Sequence, residues 1–217
     1  MTTKDDSLRG GAAGAGPRLA PLAEDEWDSR TRQLLSLVAR DAGGRVPNVF
    51  TTLVRHPDLY ERFMPFGGYL LRSGRLSGRV RELLILRTAL NTRASYEWGR
   101  HVPLAKEAGV TDAEIERVLY GPDADGWAEL ESHLLRAADE LHRDARLSDA
   151  TWEALSAHHD DADLVEITML VGQYHMVAFL LNSAGTELDP GFGAAAFPAS
   201  AEGTTGTSNP ARSAEGK

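Results

Sequence analysis

Apolar residues recur with helical spacing almost continuously from residue 24 to residue 183, and no stretch of useful length alternates with period two. That pattern leaves little room for a sheet, and the fold it predicts is all-α. Helices are expected over about 24–40, 48–55, 57–72, 78–91, 95–108, 112–119, 126–144, 149–158 and 162–183. Start signals accompany several of them. Pro57 suits a first helical turn, Ser77 and Ser148 can each cap the helix after them, and Thr111-Asp112-Ala113-Glu114 reads as a capping box after Gly109. Pro103 falls beyond the first turn of its helix, where a lost backbone hydrogen bond predicts a bend.

The 217 residues suffice for one sizeable core, so a single domain is expected over 19–189. Residues 1–18 and 190–217, rich in Gly, Ala, Ser and Thr, lack apolar periodicity and read as disordered tails. The apolar stretch 164–181 contains Glu166, Gln173 and His175, which argues for a core or subunit-interface helix rather than a membrane span. Assembly into a homo-oligomer through that helix is expected, because it is apolar nearly all round. With no apolar run behind Met1-Thr2-Thr3-Lys4, no secretory signal is read, and a cytoplasmic location with no membrane partner is expected.

Composition removes whole classes of function. There is no cysteine, hence no thiolate nucleophile, no redox pair and no peroxidase activity through a thiol. The net charge of −9 is carried by the helical body rather than by the tails, and so acidic a surface argues against a nucleic-acid partner.

Ionisable groups on apolar stripes mark the candidate site. Along 79–90 the neighbours of Glu82 one and two turns on are Ile85, Leu86 and Ala89, so its carboxylate lies on a core-facing stripe. In the next helix Glu97, His101, Leu104, Ala105 and Ala108 share one face, with Tyr96, Arg100, Pro103 and Glu107 opposite. Glu97 and His101 are thus an i, i+4 carboxylate–imidazole pair able to exchange a proton. Burial raises a carboxyl pKa and a helix N-terminus lowers it, and the sequence leaves the net direction for Glu97 open. A short echo, Arg72-Ser73-Gly74-Arg75-Leu76-Ser77 against Arg143-Asp144-Ala145-Arg146-Leu147-Ser148, sets Thr168 and Gly172 where the first copy has Glu97 and His101.

The segments Pro47-Asn48-Val49-Phe50, Leu53-Val54-Arg55-His56-Pro57, Gly74-Arg75-Leu76, Arg81-Glu82 through Arg87, Tyr96-Glu97-Trp98 with His101-Val102, and Ala108-Gly109-Val110 together resemble the carboxymuconolactone decarboxylase family. The likeness spans roughly 45–185. It implies the alkylhydroperoxidase D-like helical fold and trimers or hexamers. In the family's peroxidase branch the pattern is a Glu, a CxxC and a His. Glu82 and His101 match the outer members, while Ala94 and Glu97 stand where the cysteines would be. The resemblance therefore points to a cysteine-free branch that keeps Glu and His for proton handling. Two departures are visible: the decarboxylases are shorter, and they carry a His-Glu-Leu type sequence where this chain has Tyr96-Glu97-Trp98.

The reaction this implies is cofactor-independent decarboxylation of a small carboxylated lactone-type substrate, in which electrons released with CO₂ delocalise onto the lactone oxygen and the dienolate is protonated on carbon. His101 is expected as general acid/base, Glu97 as its orienting partner and Glu82 as a second proton carrier. Arg81 or Arg93 is the candidate anion holder, Trp98 a candidate pocket wall, and His175 a further substrate contact. Three other readings stand beside it: an isomerase or cyclase using the same residues, a metal site of Glu82, Glu97, His101 and His175, and a non-catalytic helical binding module.

Overall fold

The computed structural model describes residues 16–41 and 43–192. Among these the secondary structure is helical throughout, with no strand. After a 3-10 turn at Glu24–Glu26 come α1 (Ser29–Leu35), α2 (Asn48–Leu53), α3 (Pro57–Arg72), α4 (Gly78–Asn91), α5 (Ser95–Glu107), α6 (Asp112–Val118), α7 (Glu129–Asp144), α8 (Asp149–Ser156) and α9 (Asp161–Ala184). The caps read from the sequence form: Ser77 accepts from Val80 N–H, Ser148 from Thr151 N–H, and Thr111 and Glu114 close a reciprocal box.

Several expected helices end a residue or two early, and two differ by three residues or more. The stretch 24–40 divides because Asp28 accepts from Thr31 N–H and starts a new helix there. The chain then turns around Asp41, whose carboxylate takes the N–H groups of Gly43 and Arg45. The stretch 126–144 begins only at Glu129, because Gly126 has positive φ and the Trp127 indole donates to Gly121 O. Pro103 lies inside α5, which runs on through it.

Of the expected tails, residues 1–15 and 193–217 lie outside the described residues. The inner ends of both are built into the fold. Leu19 N–H donates to Ala184 O, Pro17 sits against Gly185 at the end of α9, and Phe192 stacks under the Arg100 guanidinium at 4.3 Å.

The molecule is organised around α4. Glu82, Leu83, Leu84, Ile85 and Leu86 are all buried in succession, so no face of the helix is left for solvent. One side, with Leu84 and Ile85, packs against α7, α8 and α9; the other, with Leu83, Leu86 and Ala89, packs against Trp98 and Val102 of α5 and Ile115 and Val118 of α6. A third cluster, including Trp27, Leu35, Leu53 and Tyr60, joins α1–α3.

The Gly74-Arg75-Leu76 motif has a packing reason. The buried carboxylate of Glu166 on α9 accepts from the N–H groups of Arg75 (2.8 Å) and Leu76 (3.1 Å), and a Cβ on residue 74 would lie 2.2 Å from Glu166 Oε1. Only glycine lets the α3–α4 corner approach that closely. α9 is the one helix among the described residues long and apolar enough to span a membrane, and half of its most apolar window is buried against the rest of the fold.

Candidate active site

α4 and α5 are joined by a tight turn in which Arg93 takes a left-handed conformation (φ 54°) and Ala94 N–H returns to Ala89 O at 2.8 Å. The turn folds α5 back along α4 and faces Glu82 with His101. His101 Nδ1 lies 2.7 Å from Glu82 Oε2, and Arg81 Nε donates to the other oxygen of the same carboxylate at 3.0 Å. With Nδ1 donating to Glu82, a neutral His101 carries its lone pair on Nε2. On that side stands Glu97 Oε2, 3.5 Å away, at the outer limit of a direct hydrogen bond. Glu82 is fully enclosed, and Glu97 and His101 are each 5% exposed.

Burial pushes the Glu97 carboxyl above its ordinary range; His101 and Arg100 partly offset this, and Glu82 adds to it. The Tyr174 ring meets the His101 ring edge-on at 5.0 Å, and its phenol is held well above the usual value by burial and then by the two carboxylates. The group reads as a chain: Arg81, Glu82, His101, Glu97.

The far end of the chain opens into a cavity of about 130 Å³. Glu97, Arg100, His101 and Leu104 of α5 form one wall, Phe63, Met64, Leu71 and Arg72 of α3 another, and Gln173, Tyr174 and Val177 of α9 the third. Among the described residues Arg72 has no carboxylate partner. Arg100 is steered by the segment after α9. Asp189, 4% exposed, accepts from Tyr96 O–H (2.7 Å) and Asn48 N–H (2.7 Å) and lies 3.5 Å from the Arg100 guanidinium. Leu188 covers Gly99, where a Cβ would come within 2.6 Å of its side chain.

Of the residues singled out in the sequence, Glu82, Glu97 and His101 therefore come together, with Arg81 behind them. The closer partner of His101 is Glu82 rather than Glu97. The others lie elsewhere. Arg93 is exposed at the α4–α5 turn, and Trp98 is packed in the α4–α5–α6 cluster. His175 donates through Nδ1 to Val171 O and meets His142 at 2.9 Å. Among the described residues no group of three or more carboxylate and histidine side chains forms a metal-ligand set. Arg72, Arg100 and Tyr174 line the cavity without having been read from the sequence.

Residues 57–140, from the start of α3 through most of α7, match the model of the Carboxymuconolactone decarboxylase family, and the resemblance read from the sequence holds over that segment. No curated protein matches the chain in sequence. Solved structures share the fold at low identity. An alkylhydroperoxidase AhpD core, an uncharacterized peroxidase-related protein from Ralstonia eutropha JMP134, aligns with TM-score 0.70 and 22% identity over 83% of this chain and 96% of its own. An uncharacterized peroxidase-related protein from Silicibacter sp. TM1040 gives TM-score 0.70 and 16% identity over 83% and 97%. The debrominase Bmp8, in complex with 2,3,4-tribromopyrrole, gives TM-score 0.66 and 15% identity over 88% and 97%. The alkylhydroperoxidase D-like helical fold is thus established for this chain.

Proposed function

From a carboxymuconolactone decarboxylase family segment that carries Glu82, Glu97 and His101 on one buried chain of contacts, we propose that the protein is a cofactor-independent carboxy-lyase acting on a small carboxylated, lactone-type ring. The observation that carries the reading is the Arg81–Glu82–His101–Glu97 chain ending in a cavity the size of a single ring. A dry cavity of roughly 150 Å³ accepts benzene, and this one is about 130 Å³ with mainly apolar walls.

In this reading the substrate carboxylate loses CO₂, and the electron pair of the broken C–C bond moves through the ring onto the lactone oxygen. The dienolate then takes a proton on carbon. Glu97, whose carboxyl is pushed upward by burial, is the acid at the cavity wall, and His101 Nε2 passes the proton between Glu97 and the substrate. Glu82 orients the imidazole and stabilises its cationic form, with Arg81 fixing the second oxygen of that carboxylate. Arg100 and Arg72, the cations on the cavity wall, take the place first expected of Arg81 and Arg93 in holding a substrate carboxylate.

The experiment is turnover of a panel of carboxylated butenolides in D₂O. CO₂ release with one deuterium on the product carbon supports the reading. A product that keeps its carboxylate identifies an isomerase or cyclase instead.

A further inference from the structure

Two consecutive glycines, Gly67 and Gly68, lie inside α3. Glycine within a helix is destabilising relative to alanine, so a pair of them calls for a reason. The cavity supplies one. A Cβ on residue 67 would stand 3.0 Å from Gln173 Nε2, and one on residue 68 would stand 2.7 Å from a guanidinium nitrogen of Arg72. The bare backbone lets an amide and a guanidinium lie close against α3, and all four residues line the cavity.

The amide is incompletely paired. Gln173 is 5% exposed, yet its Oε1 has no hydrogen-bond partner among the described residues. An enclosed carbonyl oxygen that has given up water and gained nothing in return is destabilising, and such atoms are rare in folded proteins. The other polar side chains of the cavity have different duties. Arg72 and Arg100 can only donate. Glu97 and His101 share the proton of the proposed chemistry, and the Tyr96 O–H is given to Asp189. Gln173 therefore supplies a neutral acceptor that none of these provides. An orphaned acceptor in a cavity wall calls for a ligand that donates.

We propose that Gln173 reads a hydrogen-bond donor on the substrate, so that the ring bound here carries an O–H or N–H beside its carboxylate. The inference rests on the reading of this cavity as a site for a ring carboxylate, and narrows the substrate class. The Cα atoms of adjacent residues are about 3.8 Å apart, so the groups lying against Gly67 and Gly68 address neighbouring parts of a ligand. With the carboxylate on Arg72, the donor falls on the next atom of the ring. It is a hydroxyl on the adjoining carbon, or a ring N–H in place of the lactone's ring oxygen. A plain lactone offers acceptors only and leaves Oε1 unpaired, which a site of this kind penalises.

The test uses two inert planar acids, pyrrole-2-carboxylate and furan-2-carboxylate, which differ in presenting N–H or O next to the carboxylate-bearing carbon. Titration calorimetry on the full-length protein should show the pyrrole acid binding at least tenfold more tightly. In Gln173→Leu that preference should fall below about twofold, and in Arg72→Gln both acids should weaken about tenfold with the preference kept. Thermal melts separate recognition from structure. Removing an amide oxygen that has no partner leaves nothing unpaired, so Gln173→Leu should be at least as stable as wild type. Equal or reversed affinities in wild type, a preference that survives in Gln173→Leu, no binding of either acid at millimolar concentration, or a lowered melting temperature of Gln173→Leu would each overturn the inference. Turnover of the butenolide panel decides the carboxy-lyase reading separately. A pyrrole preference that depends on Gln173 supports the inference even where no CO₂ is released, and CO₂ release without that preference removes the inference alone.

Discussion

Glu82 Oε2 and His101 Nδ1 lie 2.7 Å apart, and the carboxylate that makes this contact has no exposed surface at all. A buried charge is costly without partners, and Glu82 has two, His101 on one oxygen and Arg81 on the other. Glu82→Ala should therefore destabilise the protein by roughly 3 kcal/mol or more, whereas Glu82→Gln keeps the shape and a hydrogen bond. In Glu82→Gln the amide no longer stabilises a cationic His101, and kcat should fall roughly 10²-fold or more with little change in KM. Thermal melts beside steady-state kinetics check both halves.

The rate should fall on the alkaline side. Burial raises the Glu97 carboxyl, with His101 and Arg100 pulling it partly back, so the protonated acid is present below the raised pKa and lost above it. Arg100→Gln removes one of the groups that lower it, and the alkaline limb of kcat should move to higher pH while KM for a carboxylated substrate rises roughly tenfold. A pH–kcat profile of both proteins is the check. Stability carries the same sign: the contribution of Glu97 is full below the ordinary carboxyl pKa of 4.5 and is lost as pH rises through the folded value, so Glu97→Gln should gain on wild type with rising pH.

Glu114 behaves in the opposite sense. The Arg79 guanidinium, with Thr111 assisting, holds its carboxyl down at about 2 against an ordinary 4.5. Its contribution is present above pH 4.5 and disappears as pH falls through 2. Glu114→Gln should cost roughly 1–2 kcal/mol at pH 7 after allowing for partial exposure, and nothing near pH 2. Urea melts at the two pH values measure the difference.

At the α3–α4 corner, Gly74→Ala should destabilise by roughly 2 kcal/mol, because the new methyl displaces Glu166 from the Arg75 and Leu76 N–H groups. A change below about 0.5 kcal/mol would remove the packing explanation for this motif.

Much of the architecture was legible because it is written in helical periodicity and caps. The stripes around Glu82 and around Glu97 and His101 identified two buried helices before their packing was known. The periodicity did not reveal which neighbour His101 prefers, since Glu97 is four residues away in sequence and Glu82 reaches it only through the α4–α5 turn. Tyr96 and Arg100 read as an outer face because α5 is covered on that side by a non-helical segment, where Asp189 binds the tyrosine and Leu188 fills the space over Gly99. A segment without periodicity gives no warning that it will be packed. Tyr174 went unread beside His175 because only the packing of α9 decides which of two adjacent residues turns inward.

The most direct measurement is single-turnover kinetics of His101→Ala, Glu97→Gln and the double variant on a confirmed substrate, with thermal melts of each. If His101 and Glu97 handle one proton, each single variant should lose roughly 10²- to 10⁴-fold in rate and the double variant little more than the worse of the two. Full activity in a well-folded His101→Ala protein would contradict the proposed chemistry and leave the cavity as a binding site.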